Sequence, residues 1–171
     1  IYSKNISDLT GIQDFKALQQ LNCASNKLTT IDVSNNVNLT HLSVVNNLLT
    51  TLDISKNIKL AKLSCYSNKL TSLNLNFTPL ITELTVNNNL FTSLDVSNLK
   101  LLRYLDISNC ELPSIDLTSN KDLISFQASS NRFTTLNLSQ NKELIYLGFS
   151  FNLQLPSIDL SANTKLQYLI S

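Results

Sequence analysis

One histidine, three cysteines and a recurring aspartate are the side chains of this 171-residue sequence best placed to do chemistry. A histidine becomes a general base when an acid orients its ring and a nucleophile stands beside it. His41 has Ser43 two residues on, but the nearest carboxylate at an equivalent position is Glu83, 42 residues away. That triad is incomplete, and His41 reads as an exposed surface residue. The aspartates recur every 21 residues as Asp32, Asp53, Asp95 and Asp116, with Asn74 and Asn137 in the same series and Asp159 one place later. Stacked carboxylates repel one another, and calcium would relieve this, but Ca²⁺ takes six or more oxygens from a tight loop. Glycine-rich calcium loops are absent from a chain with only two glycines. Each aspartate is therefore expected to accept hydrogen bonds from nearby Ser and Thr hydroxyls and backbone N–H groups. No catalytic residue, metal or cofactor is assigned.

The elements that hold these residues follow from the same period. Leu21, Leu42, Leu63, Leu84, Leu105, Phe126 and Leu147 are spaced by 21, and an apolar residue stands three positions before and two positions after each. Five positions after comes a polar series: Asn26, Asn47, Asn68, Asn89, Cys110, Asn131 and Asn152. The second half of each unit repeats the scheme, as in Leu28, Ile31, Val33 and Asn36, so that 21 divides as 10 and 11. Fixed periods of 20 to 50 residues mark a solenoid, in which one coil cannot bury its apolar face alone and the coils share an elongated core.

The unit L-x-x-L-x-C/V-x-x-N-x-L resembles the leucine-rich repeat, and with seven copies in register the resemblance covers nearly the whole chain. The nested short period is similar to a bacterial variety of that repeat. The opening Asn5 to Leu18, with Ile6, Leu9, Ile12, Phe15 and Leu18 every three residues, looks like an internalin-type repeat with a short 3₁₀-like or helical outer segment. Elsewhere, alternation such as Thr30-Ile31-Asp32-Val33-Ser34 predicts strand on the second side as well. The expected fold is a mainly β, flattened, right-handed solenoid with short parallel strands on both sides and little helix. It forms a single domain over residues 1–171, of about seven full coils with partial coils at both ends. Neither end shows a polar cap, which predicts either a fragment of a longer chain with flanking domains or unusual caps.

Particular slots carry particular expectations. Asparagine at the exit from the strand can bridge the backbone of coils above and below, because its amide both donates and accepts. Cys110 in that series weakens the ladder locally, and Thr78 and Leu99 interrupt the equivalent series of the second half. An extra residue after Asn152 predicts a bulge over Asn152–Pro156. Cys23 and Cys65 share an inward slot two coils apart, hence ~9.6 Å at the spacing of paired strands. That exceeds the reach of a disulfide, about 7 Å between Cα atoms, and the cysteines read as core.

The charge balance, 13 basic against 12 acidic residues, gives no reason to expect nucleic acid, and no apolar run predicts membrane insertion. The leucine-rich-repeat resemblance implies an extracellular or cell-surface, non-catalytic module of a bacterial surface or secreted protein, binding a protein or glycan on its concave face, often in adhesion. A structural spacer in a multidomain protein is the alternative. A lesser one is an ice-binding solenoid, whose faces the Thr/Ser/Asp array resembles, although such faces are richer in Thr and less charged. Outward positions flanking the Leu21 series vary from coil to coil and hold four of the five tyrosines, whereas the opposite face repeats almost unchanged. Tyrosine is over-represented at binding hot spots. The candidate patch is Lys62, Tyr66, Glu83, Tyr104, Asp106 and Tyr146.

Overall fold

A computed structural model describes residues 1–171. Its regular elements are a 3₁₀ turn at Ile12–Asp14 and eight three-residue strands. They are β1 Gln20–Asn22, β2 His41–Ser43, β3 Lys62–Ser64, β4 Glu83–Thr85, β5 Tyr104–Asp106, β6 Ser125–Gln127, β7 Tyr146–Gly148 and β8 Tyr168–Ile170. All are parallel and lie in one sheet in chain order. Leu21 pairs with Leu42, Leu42 with Leu63, and so on to Leu147 with Leu169. From β1 to β7 the central residue of each strand is buried while, Gly148 apart, its neighbours face out. The inward series merge into one apolar core that runs through all coils, with Leu39, Leu60, Ile81, Leu102, Leu123 and Leu144 fully enclosed. The leucine-rich solenoid expected from the period is the observed architecture, and the 3₁₀ turn stands where the internalin-like opening placed one.

The second side differs from the expected strand. Its residues alternate inward and outward as the pattern requires, but they form no sheet. In stretches such as 29–35 and 50–56, no backbone N–H donates to a neighbouring coil. Local bonds replace the ladder. The Ser34 N–H donates to Asp32 Oδ1 at 2.9 Å, and the Asn36 N–H to the Val33 carbonyl at 3.0 Å. The same turn recurs at Asp53, Asn74, Asp95, Asp116, Asn137 and Asp159. Asp and Asn favour such local bonding over regular structure. Alternation reports which side chains point inward; it does not report whether the backbone pairs.

Two asparagine ladders close the ends of each coil. In the first, Asn47 Nδ2 donates to the Cys23 carbonyl of the preceding coil at 3.1 Å and to its own Val44 carbonyl at 3.0 Å. Its Oδ1 accepts the buried Leu28 N–H at 3.0 Å. Asn68, Asn89, Asn131 and Asn152 do the same. Cys110 substitutes poorly: Sγ lies 3.4 Å from the Val86 carbonyl and 3.6 Å from that of Ser108, and one S–H serves only one of them. The enclosed Phe91 N–H, which an asparagine here would accept, is left without a partner. In the second ladder Asn57 Nδ2 donates to the Val33 and Asn36 carbonyls. Thr78 bonds only within its own coil, through Leu75, and Leu99 offers nothing, so the expected interruption is present.

Immediately before each first-ladder residue the backbone turns left-handed, at Ser25, Asn46, Ser67, Asn88, Asn109, Ser130 and Phe151, with φ between 50° and 59°. Asn tolerates this region and bulky side chains do not. Phe151, 74% exposed, is the misfit of the series. Directly after it the extra residue forms the expected irregularity: a turn closed by the Leu155 N–H on the Asn152 carbonyl at 3.0 Å. Leu153 is expelled to solvent and Leu155 returns to the core. β8 consequently pairs with β7 at a spacing of 22, Tyr146 opposite Tyr168.

Candidate functional site

The exposed side of the sheet is built from the first and third residues of each strand. The register aligns Gln20, His41, Lys62, Glu83, Tyr104, Ser125, Tyr146 and Tyr168 in one column. Asn22, Ser43, Ser64, Thr85, Asp106, Gln127, Gly148 and Ile170 form the second. Neighbouring side chains within a column stand one strand spacing apart, ~4.8 Å, close enough to interact. Four of the six candidate residues, Lys62, Glu83, Tyr104 and Tyr146, therefore lie on one line, broken only by Ser125. Asp106 sits in the column beside them, its Oδ1 accepting the Ser108 N–H at 2.9 Å. Tyr66 lies at the strand exit and is half-buried. At that same exit position Ala24 and Val45 are buried; small and apolar, they are drawn into the core's margin.

Lys62 and Glu83 form an ion pair, Nζ to Oε1 2.6 Å, across β3 and β4. Both partners remain well exposed, and a pair of this kind contributes little to stability, roughly 0–1 kcal/mol. It does fix two long side chains in one place. Next to it a shallow depression of about 240 Å³ crosses β1 to β4, lined among others by His41, Ser43, Lys62, Ser64 and Glu83. His41 Nδ1 shares a hydrogen bond with the Thr40 hydroxyl at 2.9 Å, and its register neighbours are Gln20 and Lys62. No carboxylate orients the ring as a catalytic dyad requires.

At the other end Tyr104 is 44% exposed, and the Tyr146 and Tyr168 rings lie 6.3 Å apart at 33°. Gly148 is part of this arrangement. A Cβ there would lie 3.4 Å from Tyr146 Cε1 and 3.6 Å from its hydroxyl. The Tyr146 ring thus leans along its strand and covers the position that a side chain at 148 would occupy. The sequence pattern aligned these residues but did not show the glycine's role.

The remaining candidates for chemistry are engaged or enclosed. Cys23, Cys65 and Cys110 are free and buried. Burial pushes the Cys65 thiol up to about 12, and those of Cys23 and Cys110 to about 11, so none is a thiolate near neutral pH. On the opposite face, hydrogen bonds from the Ser34 hydroxyl and N–H hold Asp32 below its ordinary 3.8. Asp53, Asp95, Asp116 and Asp159 are lowered for the same reason. One carboxylate oxygen of each is committed to its own turn, as expected from the sequence. No group of three or more His, Cys, Asp and Glu side chains is gathered closely enough to hold a metal ion.

Stacked coils on a single parallel sheet, closed at the strand exit by an asparagine ladder, define the leucine-rich-repeat fold. Solved bacterial proteins share it. An internalin (inlF) from Listeria monocytogenes is similar over 96% of this chain and 51% of its own, at 20% identity with a TM-score of 0.88. An internalin C2 (inlC2) from the same species matches over 98% of this chain and 76% of its own, at 20% identity and a TM-score of 0.84. A leucine-rich-repeat protein of Leptospira interrogans matches over 93% and 50%, at 22% identity and 0.72. The chain thus spans about half the length of two of these three structures. No protein-family profile matches it, and no curated protein does.

Proposed function

We propose that this chain is a non-catalytic interaction module of a bacterial surface or secreted protein. It acts outside the cell, flanked by further domains, and binds a protein or glycan through the exposed face of its sheet. One observation carries this reading. The two outward columns of the sheet change residue type from strand to strand, whereas the opposite face repeats Asp or Asn at each coil and spends it on its own turn. A face that repeats nearly the same residue in every coil, and commits it to a local turn, offers a ligand little to select. A face that brings together an ion pair, tyrosines and unengaged polar groups can discriminate. The internalin-like folds support the bacterial and extracellular parts of the proposal.

The test compares faces. The immobilised protein would be presented with extracts of candidate host or neighbouring cell surfaces, alongside a Tyr104→Ala and Lys62→Ala double variant and an Asp53→Asn and Asp95→Asn double variant. Capture of a partner should fall about tenfold or more in the first and stay unchanged in the second. Loss only in the aspartate variant would assign binding to the other face.

A further inference from the structure

We infer that the Tyr104–Tyr168 end of the sheet is a stacking platform for a neutral glycan chain. This rests on the reading above that the exposed sheet face is the binding face, and narrows it to a partner chemistry. Three tyrosines share one outward column: Tyr104 on β5, Tyr146 on β7 and Tyr168 on β8. Here the absent side chain at Gly148 lets the Tyr146 ring fold down along the strand, its edge 3.4 Å from where a Cβ would be. Tyr146 is only half-buried, so part of the leaning ring stays open to a ligand. The neighbouring Tyr168 ring lies 6.3 Å away with its plane 33° from that of Tyr146, so two aromatic rings are presented next to each other. The C–H face of a pyranose packs on such a ring, and the separation is comparable to that of successive sugars in an extended chain.

The surrounding polar groups suit hydroxyls. Ser125 lies between Tyr104 and Tyr146 in the column, and Asp106 and Gln127 stand beside it, with Ser129 close to Gly148. No lysine or arginine occupies either outward column from β5 to β8, and Arg132, nearby in sequence, is paired with Glu111 at 2.8 Å. Within the two columns sulfated and uronate chains therefore find no counter-charge, and Arg103, just outside them, lines a depression shared with Asp122 and Glu143, whereas neutral sugars find donors and acceptors beside the rings.

The intact chain would be titrated with cellohexaose, chitohexaose and mannohexaose by calorimetry, with a sulfated heparin hexasaccharide as the charged control. The chain has five tyrosines and no tryptophan, so tyrosine fluorescence reports binding independently. At least one neutral hexasaccharide should bind and the sulfated one should not. Tyr146→Ala should weaken binding about tenfold, while Tyr146→Phe keeps the ring and stays close to the parent. Gly148→Val should reproduce the Tyr146→Ala loss by lifting the ring. Gly148→Ala, whose Cβ meets the ring at ordinary contact distance, should not. Thermal unfolding of each variant separates misfolding from lost contact. The inference is overturned if no neutral hexasaccharide binds, if the sulfated chain binds better, or if Tyr146→Ala and Gly148→Val leave binding intact. If no neutral sugar binds but Lys62→Ala with Tyr104→Ala still abolishes capture of a protein, the platform falls and the sheet-face reading stands. If a neutral sugar binds and only the aspartate-face variant loses it, both fall.

Discussion

Replacing Cys110 by asparagine should stabilise the protein by about 2 kcal/mol, a figure that follows from the hydrogen bonds of its neighbours. Asn47, at the same slot, accepts the Leu28 N–H and donates to two carbonyls, one in each of two coils, all at 3.0–3.1 Å. Cys110 has one S–H for two carbonyls at 3.4 and 3.6 Å, and nothing with which to accept the Phe91 N–H. Asparagine would supply that acceptor and one further donor. A net gain near 1 kcal/mol per hydrogen bond, plus the 1–3 kcal/mol cost of an unsatisfied buried N–H, is offset in part by burying the amide, which leaves about 2 kcal/mol. For a chain of this length the gain raises Tm by about 4–8 °C. Calorimetric or circular-dichroism melting of the parent, Cys110→Asn and Cys110→Ala measures it. The alanine variant, which loses the S–H bond and leaves the Phe91 N–H bare, should melt below the parent. If Cys110→Asn melts at or below the parent while Cys110→Ala is neutral, the ladder does not contribute the energy ascribed to it.

Other expectations follow from single features. Phe151→Asn should stabilise by about 1 kcal/mol in denaturant unfolding, because asparagine accepts the left-handed backbone that an exposed phenylalanine adopts with φ 59°. Folded-state pKa values of Asp32, Asp53, Asp95, Asp116 and Asp159 lie below the ordinary 3.8. Their stabilisation is therefore complete above that value and is lost as pH falls through the lower folded values. Melting temperature should drop below about pH 4, and Asp53→Asn with Asp95→Asn, which keeps the turn acceptor as Asn74 does, should flatten the drop. At pH 8 iodoacetamide should leave Cys23, Cys65 and Cys110 untouched in the folded protein and label all three in denaturant, since burial holds every thiol protonated. Rapid labelling of native Cys65 would contradict its enclosure.

The inward slots were legible because burial imposes a period, and seven repetitions made it unambiguous. Leu21 to Leu147, the Asn26 ladder and even the irregular step after Asn152 could be placed from spacing alone. What the pattern did not carry was backbone pairing. Thr30-Ile31-Asp32-Val33-Ser34 alternates as a strand does, yet its N–H groups turn to Asp32 and Val33 rather than to the next coil. The aspartate was the available signal. Similarly, the left-handed residues before each ladder position were written as Ser and Asn in every coil but the last. For the candidate site, column membership came from the period. The Lys62–Glu83 ion pair joins two candidates one coil apart that the sequence reading had not linked, and the lean of Tyr146 towards Gly148 is a rotamer choice that no spacing encodes.

The one-sided pairing of the coils has a mechanical consequence. Successive coils are joined by backbone bonds along the sheet and at the strand exit, while on the far side they rest on side-chain packing and the Asn36-type ladder. A rod stitched along one edge resists bending that opens the stitched edge and yields to bending that spreads the other. Pulled along its axis, it would peel rather than stretch, one coil after another. Each coil would release about 70 Å of chain, since extended residues span ~3.3–3.6 Å apiece. A module held between two tethers would then lengthen under load in discrete steps, each step taking one strand out of the sheet.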